Sequence, residues 1–338
     1  MKKKTTTLKD VAVTCGVSST AVSLVLNDRP SNLSEKTKEL IKATAKSLGY
    51  RPDPTARSLA TKKTNTIGVI IPDISNAFFS EAVRHIQIEL SKHGYDMFLC
   101  NTEEKHANDL KYLELLISRN VDGLILTMSA ESLTPEHQNV IKQMLKEAKI
   151  PYVLFDRFFE GNESKVYVDN ESSGYEMTKH LIHNGHKNIG VITGPLVLNS
   201  SRDRLKGVTR ALSEAGIELS KDHIVTGFYD METGRIGAKK LLDQVSAIFA
   251  FNDLQAFGVI ETAKRMGKQI PNDVSLVGFD DIFYSTILET QLTTVRQPIF
   301  DMSKAISDLL IRMVSDIEHH EVIKLPAVLV QRHSVKKI

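Results

Sequence analysis

Five short stretches of this 338-residue chain gather side chains suited to hydrogen-bonding a polyhydroxyl molecule. They are Pro72-Asp73-Ile74-Ser75-Asn76-Ala77-Phe78-Phe79, Asp156-Arg157, Asn199-Ser200-Ser201-Arg202-Asp203-Arg204, Asn252-Asp253 and Asp280-Asp281, with Gln297 standing alone before Pro298. Asp and Asn exchange hydrogen bonds with hydroxyls, Arg forks take neighbouring oxygens, and aromatic faces cover the apolar C–H side of a sugar ring. Each group also has a plainer reading. Phe78 and Phe79 could be core, with only one of them facing a ligand. Asp156-Arg157 could be a structural ion pair. Arg202 fits a pairing with Asp203 or solvent better than a ligand contact. Asp253 fits the cap of the following helix.

Other chemistry finds little footing. His180, His183 and His186 have H-x₂-H-x₂-H spacing, but Gly185 ends the helix that would align them, so no metal site is expected. His319-His320 reads as surface. Neither G-x-x-x-x-G-K-[ST] nor G-x-G-x-x-G occurs, and no Ser or Cys sits in a nucleophile motif, so no cofactor is expected. Two cysteines, Cys15 and Cys100, are too few for a disulfide framework. An enzyme acting on a sugar is the rival class, because Asp, Arg and Asn could serve it.

The elements that must position these groups alternate. β-rich runs at 66–71, 96–100, 123–127 and 152–155 are separated by amphipathic stretches 79–93, 108–119 and 135–148. The pattern restarts with 188–194, 247–251 and 275–279, with helical stretches 172–184, 201–215, 233–242 and 254–266 between and around them. Strands alternating with helices imply parallel sheets covered on both faces, here two doubly wound halves. Open parallel sheets bind ligands beyond the carboxyl ends of their strands, which is where the polar stretches fall.

The first 64 residues differ in kind. They hold thirteen Lys/Arg against five Asp/Glu, a formal +8; the whole chain is +2, leaving −6 for residues 65–338. A cationic head on an anionic body points to a polyanion as partner of the head alone. Thr7, with Asp10 three residues on, resembles a capping box before an apolar stripe of Leu8, Val11 and Ala12. Gly16 breaks that helix, and Ser18 can cap a second, Ser19 to Leu26, burying Val22, Val25 and Leu26. Two short helices about a Gly turn make a helix-turn-helix, whose second helix presents its first residues to base edges in the DNA major groove. Ser34 can cap a third helix with Ile41, Ala45 and Leu48 inward. Pro52 and Pro54 forbid its continuation, and Asp53 could cap a short helix over 54–60. About seven residues are too few for a stable isolated helix, so this one should form only when docked.

TLKDVAVTCGVSSTAVSLVLND, continued by ELIKATAKSLGYRPDPTARSLATKKTNTIGVIIPD, resembles the N-terminal signature of the lactose-repressor (LacI) family of bacterial regulators. Ala21 replaces the usual threonine, and Leu24 occupies a reading position often held by Arg or His. The resemblance implies DNA contacts from Thr7, Leu8, Ser18, Ser19, Thr20, Ser23, Leu24 and Asn27. It also implies a hinge helix that pairs with its twin in the minor groove, with Leu59 wedged between base steps and Arg57 beside it. The remainder resembles the periplasmic sugar-binding-protein fold that forms the body of the same family. Within that fold the polar set is similar to that of pentose-binding, ribose-type proteins. On that likeness the effector contacts are Asn76, Phe78, Phe79, Asp156, Arg157, Arg204, Tyr229, Asn252, Asp280 and Gln297, with Tyr229 in a loosely aligned segment.

The expected fold is therefore an N-terminal all-α helix-turn-helix domain (1–50), a hinge (51–62) and an α/β body of two doubly wound parallel-sheet subdomains (63–338). The first subdomain is expected over about 63–162 and 292–325, the second over about 163–291 and 326–338. The expected function is a repressor binding double-stranded operator DNA under control of a small sugar, ribose favoured. The alternative is a catabolite-control regulator of the same family whose main effector is a phosphorylated carrier protein. A homodimer is expected, and no heptad run after residue 330 suggests a coiled-coil tail. With no apolar h-region behind the basic start and no window near ~18 apolar residues, the chain reads as soluble and cytoplasmic, without a membrane partner.

Overall fold

The computed structural model describes residues 6–26, 30–50, 63–316 and 319–338. The chain divides into two compact units, Met1–Thr64 and Asn65–Ile338.

The first unit holds α1 (Leu8–Cys15), α2 (Ser19–Leu26) and α3 (Glu35–Ser47). The capping box at Thr7 is present: its N–H and hydroxyl donate to Asp10 Oδ2, each at 2.8 Å, and its Oγ1 accepts from Asp10 N at 3.4 Å. Gly16 ends α1 at φ 67°, in the left-handed region where Gly carries no Cβ penalty. Ser18 Oγ accepts from Ala21 N at 3.1 Å and starts α2. The two helices meet at 106°, within the ≈ 90–120° of a helix-turn-helix. Val11, Ala12, Val22, Val25, Ile41 and Ala45 form the buried core, with Leu8 and Leu26 packed partly against it. Leu48, expected inward, is exposed at 38%, because α3 stops at Ser47 and Leu48 is its C-terminal cap.

The second unit alternates as expected. β1 (Thr66–Ile71), α4 (Ala77–Lys92), β2 (Asp96–Asn101), α5 (His106–Ser118), β3 (Gly123–Leu126), α6 (Pro135–Ala148), β4 (Tyr152–Phe155) and β5 (Lys165–Val168) come first. α7 (Asn170–His183), β6 (Ile189–Thr193), α8 (Asn199–Glu214), β7 (Ile224–Thr226), α9 (Met231–Leu241), β8 (Ala247–Ala250), α10 (Asp253–Arg265) and β9 (Ser275–Val277) follow. The chain then closes with β10 (Thr294–Arg296), α11 (Ile299–Ser315), β11 (Val322–Leu325) and β12 (Val328–Val330). One sheet runs β11-β5-β4-β3-β1-β2, all parallel, and a second runs β7-β6-β8-β9, also parallel. β10 and β12 pair antiparallel. β3, β6 and β8 are buried along their whole length, as strands covered on both faces must be.

Two subdomain boundaries fall later than expected. Residues 165–168 pair with β4 and β11, so the chain leaves the first sheet after Val168 rather than near 162. Thr293 bridges Val277 and Asp280 bridges Arg296, so the return lies near Gln297 rather than 291. Four helices start on polar caps whose side chains take a backbone N–H: Asn76, Asp169, Asp230 and Asn252. α7 and α8 cross closely at Gly174 and Gly207. A Cβ on Gly174 would stand 2.4 Å from the Arg204 carbonyl oxygen, and one on Gly207 2.1 Å from that of Glu171. That contact sets Arg204 beside the start of α7. Among the described residues, no single helix is long and apolar enough to cross a membrane.

Candidate effector site and DNA-reading surface

The polar stretches lie at the carboxyl ends of both parallel sheets, after β1, β4, β6, β7, β8 and β9, with Gln297 on the returning segment after β10. They line one cavity. Asn76, Phe78, Phe79, Asp156, Arg157, Arg204, Tyr229, Asn252, Asp280 and Gln297 all face it, together with Ser200. Its internal volume is only about 20 Å³, roughly the room of one water molecule.

Phe78 and Phe79 occupy the first turn of α4, because Asn76 caps that helix by accepting from Phe78 N at 3.0 Å. Their rings meet edge-on at 5.0 Å, and Phe78 stacks on Phe155 at 6.1 Å. Both line the cavity and both belong to the core. The two readings of this pair therefore merge.

Arg204 is clamped. Its Nε donates to Asn170 Oδ1 at 2.8 Å, its Nη1 to the Phe251 carbonyl, and its guanidinium lies 3.4 Å over the Phe279 ring. Such stacking on an aromatic face fixes the plane of the fork. Arg202, by contrast, turns away to the carbonyls of Val197 and Leu196 and lies 3.7 Å from Glu160. Arg202 thus faces solvent and the preceding loop rather than the cavity, as one of its two expected readings has it.

Asp156 and Asp280 end their strands in left-handed backbone, at φ 61° and φ 116°. Such conformations are costly for residues other than Gly and gather at functional sites. Burial pushes both carboxyls up, Asp280 well above the usual carboxylate range, against the pull of Arg204 on each. Burial works against the charge of Arg157, but the carboxylates of Glu104 and Asp156 outweigh it and raise its pKa. Gln297 Nε2 donates to Asp280 Oδ1 at 2.7 Å.

Three buried polar atoms of this set have no hydrogen-bond partner in the protein: Asp156 Oδ1, Arg157 Nε and Gln297 Oε1. Buried polar groups are nearly always paired, so three unpaired ones on one cavity point to a hydrogen-bonding ligand. Around them stand the carboxyls of Asp156 and Asp280 and the guanidiniums of Arg157 and Arg204.

Asp253 is not the cap expected of it. Asn252 caps α10, accepting from Gln255 N at 2.9 Å and donating to the Tyr229 carbonyl at 3.2 Å. Asp253 is fully buried and takes Ile282 N at 3.0 Å, Ser285 Oγ at 2.6 Å and Thr294 Oγ1 at 2.6 Å. It ties the Asp280 loop to β10. Ser200 was not singled out from the sequence. Its hydroxyl lies 3.2 Å from that of Tyr229, which also meets Ser201 at 2.8 Å. Its place in a polar run at the start of a helix was the available signal. The histidine trio does not converge: buried His186 meets Ser246 Oγ at 2.9 Å and the Lys336 carbonyl at 3.1 Å. Among the described residues, no group of His, Cys, Asp and Glu could hold a metal ion.

In the first unit, Ser18, Ser19 and Thr20 are exposed at the start of α2, and Ser23 and Leu24 are half-buried. Thr7 is exposed at the start of α1, while Leu8 packs partly into the core. Asn27, Arg57, Leu59 and the expected hinge helix lie outside the described residues.

Residues 7–53 match the model of bacterial regulatory proteins of the lacI family, and residues 64–333 match that of periplasmic binding proteins and the sugar-binding domain of the LacI family. The chain belongs to the LacI family of bacterial regulators. It is 34% identical to the HTH-type transcriptional repressor PurR of Photobacterium profundum, over 98% of this chain and 99% of that one. It is 36% identical to catabolite control protein A of Priestia megaterium, over 98% and 99%. A LacI-family regulator from Enterococcus faecium, solved with bound ribose, superposes with a TM-score of 0.71 at 30% identity, over 81% of this chain and 99% of that one. As a LacI-family regulator, the chain couples a DNA-binding helix-turn-helix to an effector-binding body and is not an enzyme.

Proposed function

We propose that this chain is a homodimeric repressor whose operator affinity is set by a neutral pentose, ribose foremost, bound by the ten residues of the cleft. The three unpartnered buried atoms carry this reading. Asp156 Oδ1 and Gln297 Oε1 offer acceptors and Arg157 Nε a donor on one cavity, as hydroxyls require. Two guanidiniums stand beside two Asp carboxyls on the same cavity, a donor and acceptor set that suits a hydroxylated ligand. The likeness to a ribose-bound relative from Enterococcus faecium supports the same ligand.

The homodimer reading rests on apolar surface. Edge strand β2 exposes Phe98 and Leu99, and the segment after Asp280 exposes Phe283, Tyr284 and Ile287. Ser19, Thr20, Ser23 and Leu24 would read base edges, and Arg57 and Leu59 would engage the minor groove. Ligand acts on DNA only to the extent that it binds one state of the body better than the other.

The 36% identity to catabolite control protein A favours a second reading, control by a phosphorylated carrier protein docking on the body. A complete sugar cleft is superfluous for such control. Calorimetry of the full chain against pentoses, hexoses and nucleobases separates the two. The pentose reading expects saturable binding of ribose, with stereoisomers weaker; a chain that ignores every monosaccharide would overturn it.

A further inference from the structure

Glu104 does not line the cavity, yet it holds one of the residues that does. Both of its carboxylate oxygens lie 2.9 Å from Nη1 of Arg157, and its Oε2 also accepts from Ala130 N at 3.0 Å. The same Nη1 reaches the Met128 carbonyl at 3.3 Å. Arg157 is 2% exposed and Glu104 32%, so one partner is sealed in the body and the other reaches water. Glu103 and Glu104 are consecutive left-handed residues, at φ 55° and φ 57°, closed by Glu104 N donating to the Pro72 carbonyl at 3.1 Å. Neither is Gly, so the backbone bears a cost to bring this carboxylate behind Arg157.

The charge pattern gives the arrangement its meaning. Arg157 and Arg204 face the cavity with Asp156 and Asp280. A free Arg157 edge is a fork for a carboxylate or phosphate. Glu104 already occupies the Nη1 end of that fork, and its charge is poorly screened at a buried guanidinium.

We infer that Glu104 is a specificity-determining residue of the cleft: pairing with Arg157 from behind, it neutralises the guanidinium and restricts the cleft to neutral sugars, excluding sugar acids. The inference rests on the pentose reading above and extends it. Glu104 touches no ligand; it acts through Arg157.

The test compares D-ribose with D-ribonate, which carries a carboxylate on the same five-carbon skeleton, by calorimetry and competition on the full chain. The variants are Glu104→Gln, which keeps an acceptor for Ala130 N without the charge, and Glu104→Asp, which keeps the charge. The readout is the ratio of the two dissociation constants, because a merely loosened cleft weakens both ligands in parallel and leaves the ratio unmoved. Glu104→Gln shifts the ratio at least tenfold toward ribonate, and Glu104→Asp leaves it within about twofold of wild type. An unmoved ratio in Glu104→Gln, no ribonate binding by that variant, or an equal shift in Glu104→Asp overturns the inference while leaving the pentose reading standing. A wild type that does not bind ribose sinks the pentose reading and this inference with it. Thermal melting of both variants checks that they are folded.

Discussion

Asn199 holds the backbone of Asp156 and of Phe158 across the cleft. From the first turn of α8, beside the second sheet, its Nδ2 donates to the Asp156 carbonyl at 3.0 Å and its Oδ1 accepts from Phe158 N at 3.2 Å. Asp156 and Phe158 follow β4 of the first sheet, so one buried amide links the strand ends of both sheets. Asn199→Ala strands a carbonyl and an N–H, at about 1–3 kcal/mol for each group that stays buried without a partner. The closed arrangement loses most of that difference, so ribose should bind at least tenfold more weakly. Calorimetry checks this; an unchanged affinity would show that the clasp does not hold the binding-competent state.

Arg204 is fixed by Asn170, Phe251 and Phe279 before any ligand arrives. Arg204→Ala should therefore weaken ribose binding by about a hundredfold or more, as expected for loss of a charge-assisted donor set worth ~1.5–3 kcal/mol per bond. Operator binding in the absence of sugar should stay within about twofold, measured by fluorescence anisotropy. Joint loss of sugar and DNA binding would mean the side chain is needed for the fold instead.

Asp253 links stability to pH. Burial lifts its carboxyl to about 6, against the hydrogen bonds from Ser285, Thr294 and Ile282 that pull it down. An unfolded Asp titrates near 3.9, so between about pH 4 and pH 6 the folded protein binds the extra proton. Stability then falls as pH rises through that window and levels off above it, a change on the order of 2–3 kcal/mol. Asp253→Asn removes this titration. The stability gap between wild type and variant, from urea unfolding, should narrow between pH 4.5 and pH 7; a constant gap would contradict the burial of a titrating group there.

The DNA arm makes its own demands. Leu59→Ala should lower operator affinity about tenfold, the scale of one apolar wedge lost from a kinked base step, while leaving the ribose titration unchanged. Operator affinity of the intact chain should fall linearly with salt on a log–log plot, at a slope near −0.9 per phosphate neutralised. A flat salt dependence would contradict the role of the +8 head.

The cleft was legible because its chemistry lies directly in the chain. Each of the ten side chains follows a strand or turn that brings it to one end of a parallel sheet, and strand-end residues need no long-range information to place. Ser200 and Glu104 were less visible. Ser200 stands among other small polar residues, and Glu104 acts through Arg157, 53 positions away. The missed strands, such as Lys165–Val168 and Val322–Leu325, are short and carry lysines, so their β character comes from pairing with each other rather than from composition. That pairing also moved the first subdomain boundary from about 162 to after Val168. Asp253 looked like a cap because it precedes a helix; Asn252 takes that role and leaves Asp253 to bind three groups from distant segments.

The decisive measurement is operator affinity with and without saturating ribose, for wild type and Arg204→Ala, on a duplex selected from a randomised pool. Coupling between the two sites, typically 5–150-fold, should change wild-type affinity at least fivefold in one direction and leave Arg204→Ala unaffected. Wild-type affinity that is the same at every ribose concentration would contradict the linkage of cleft to DNA.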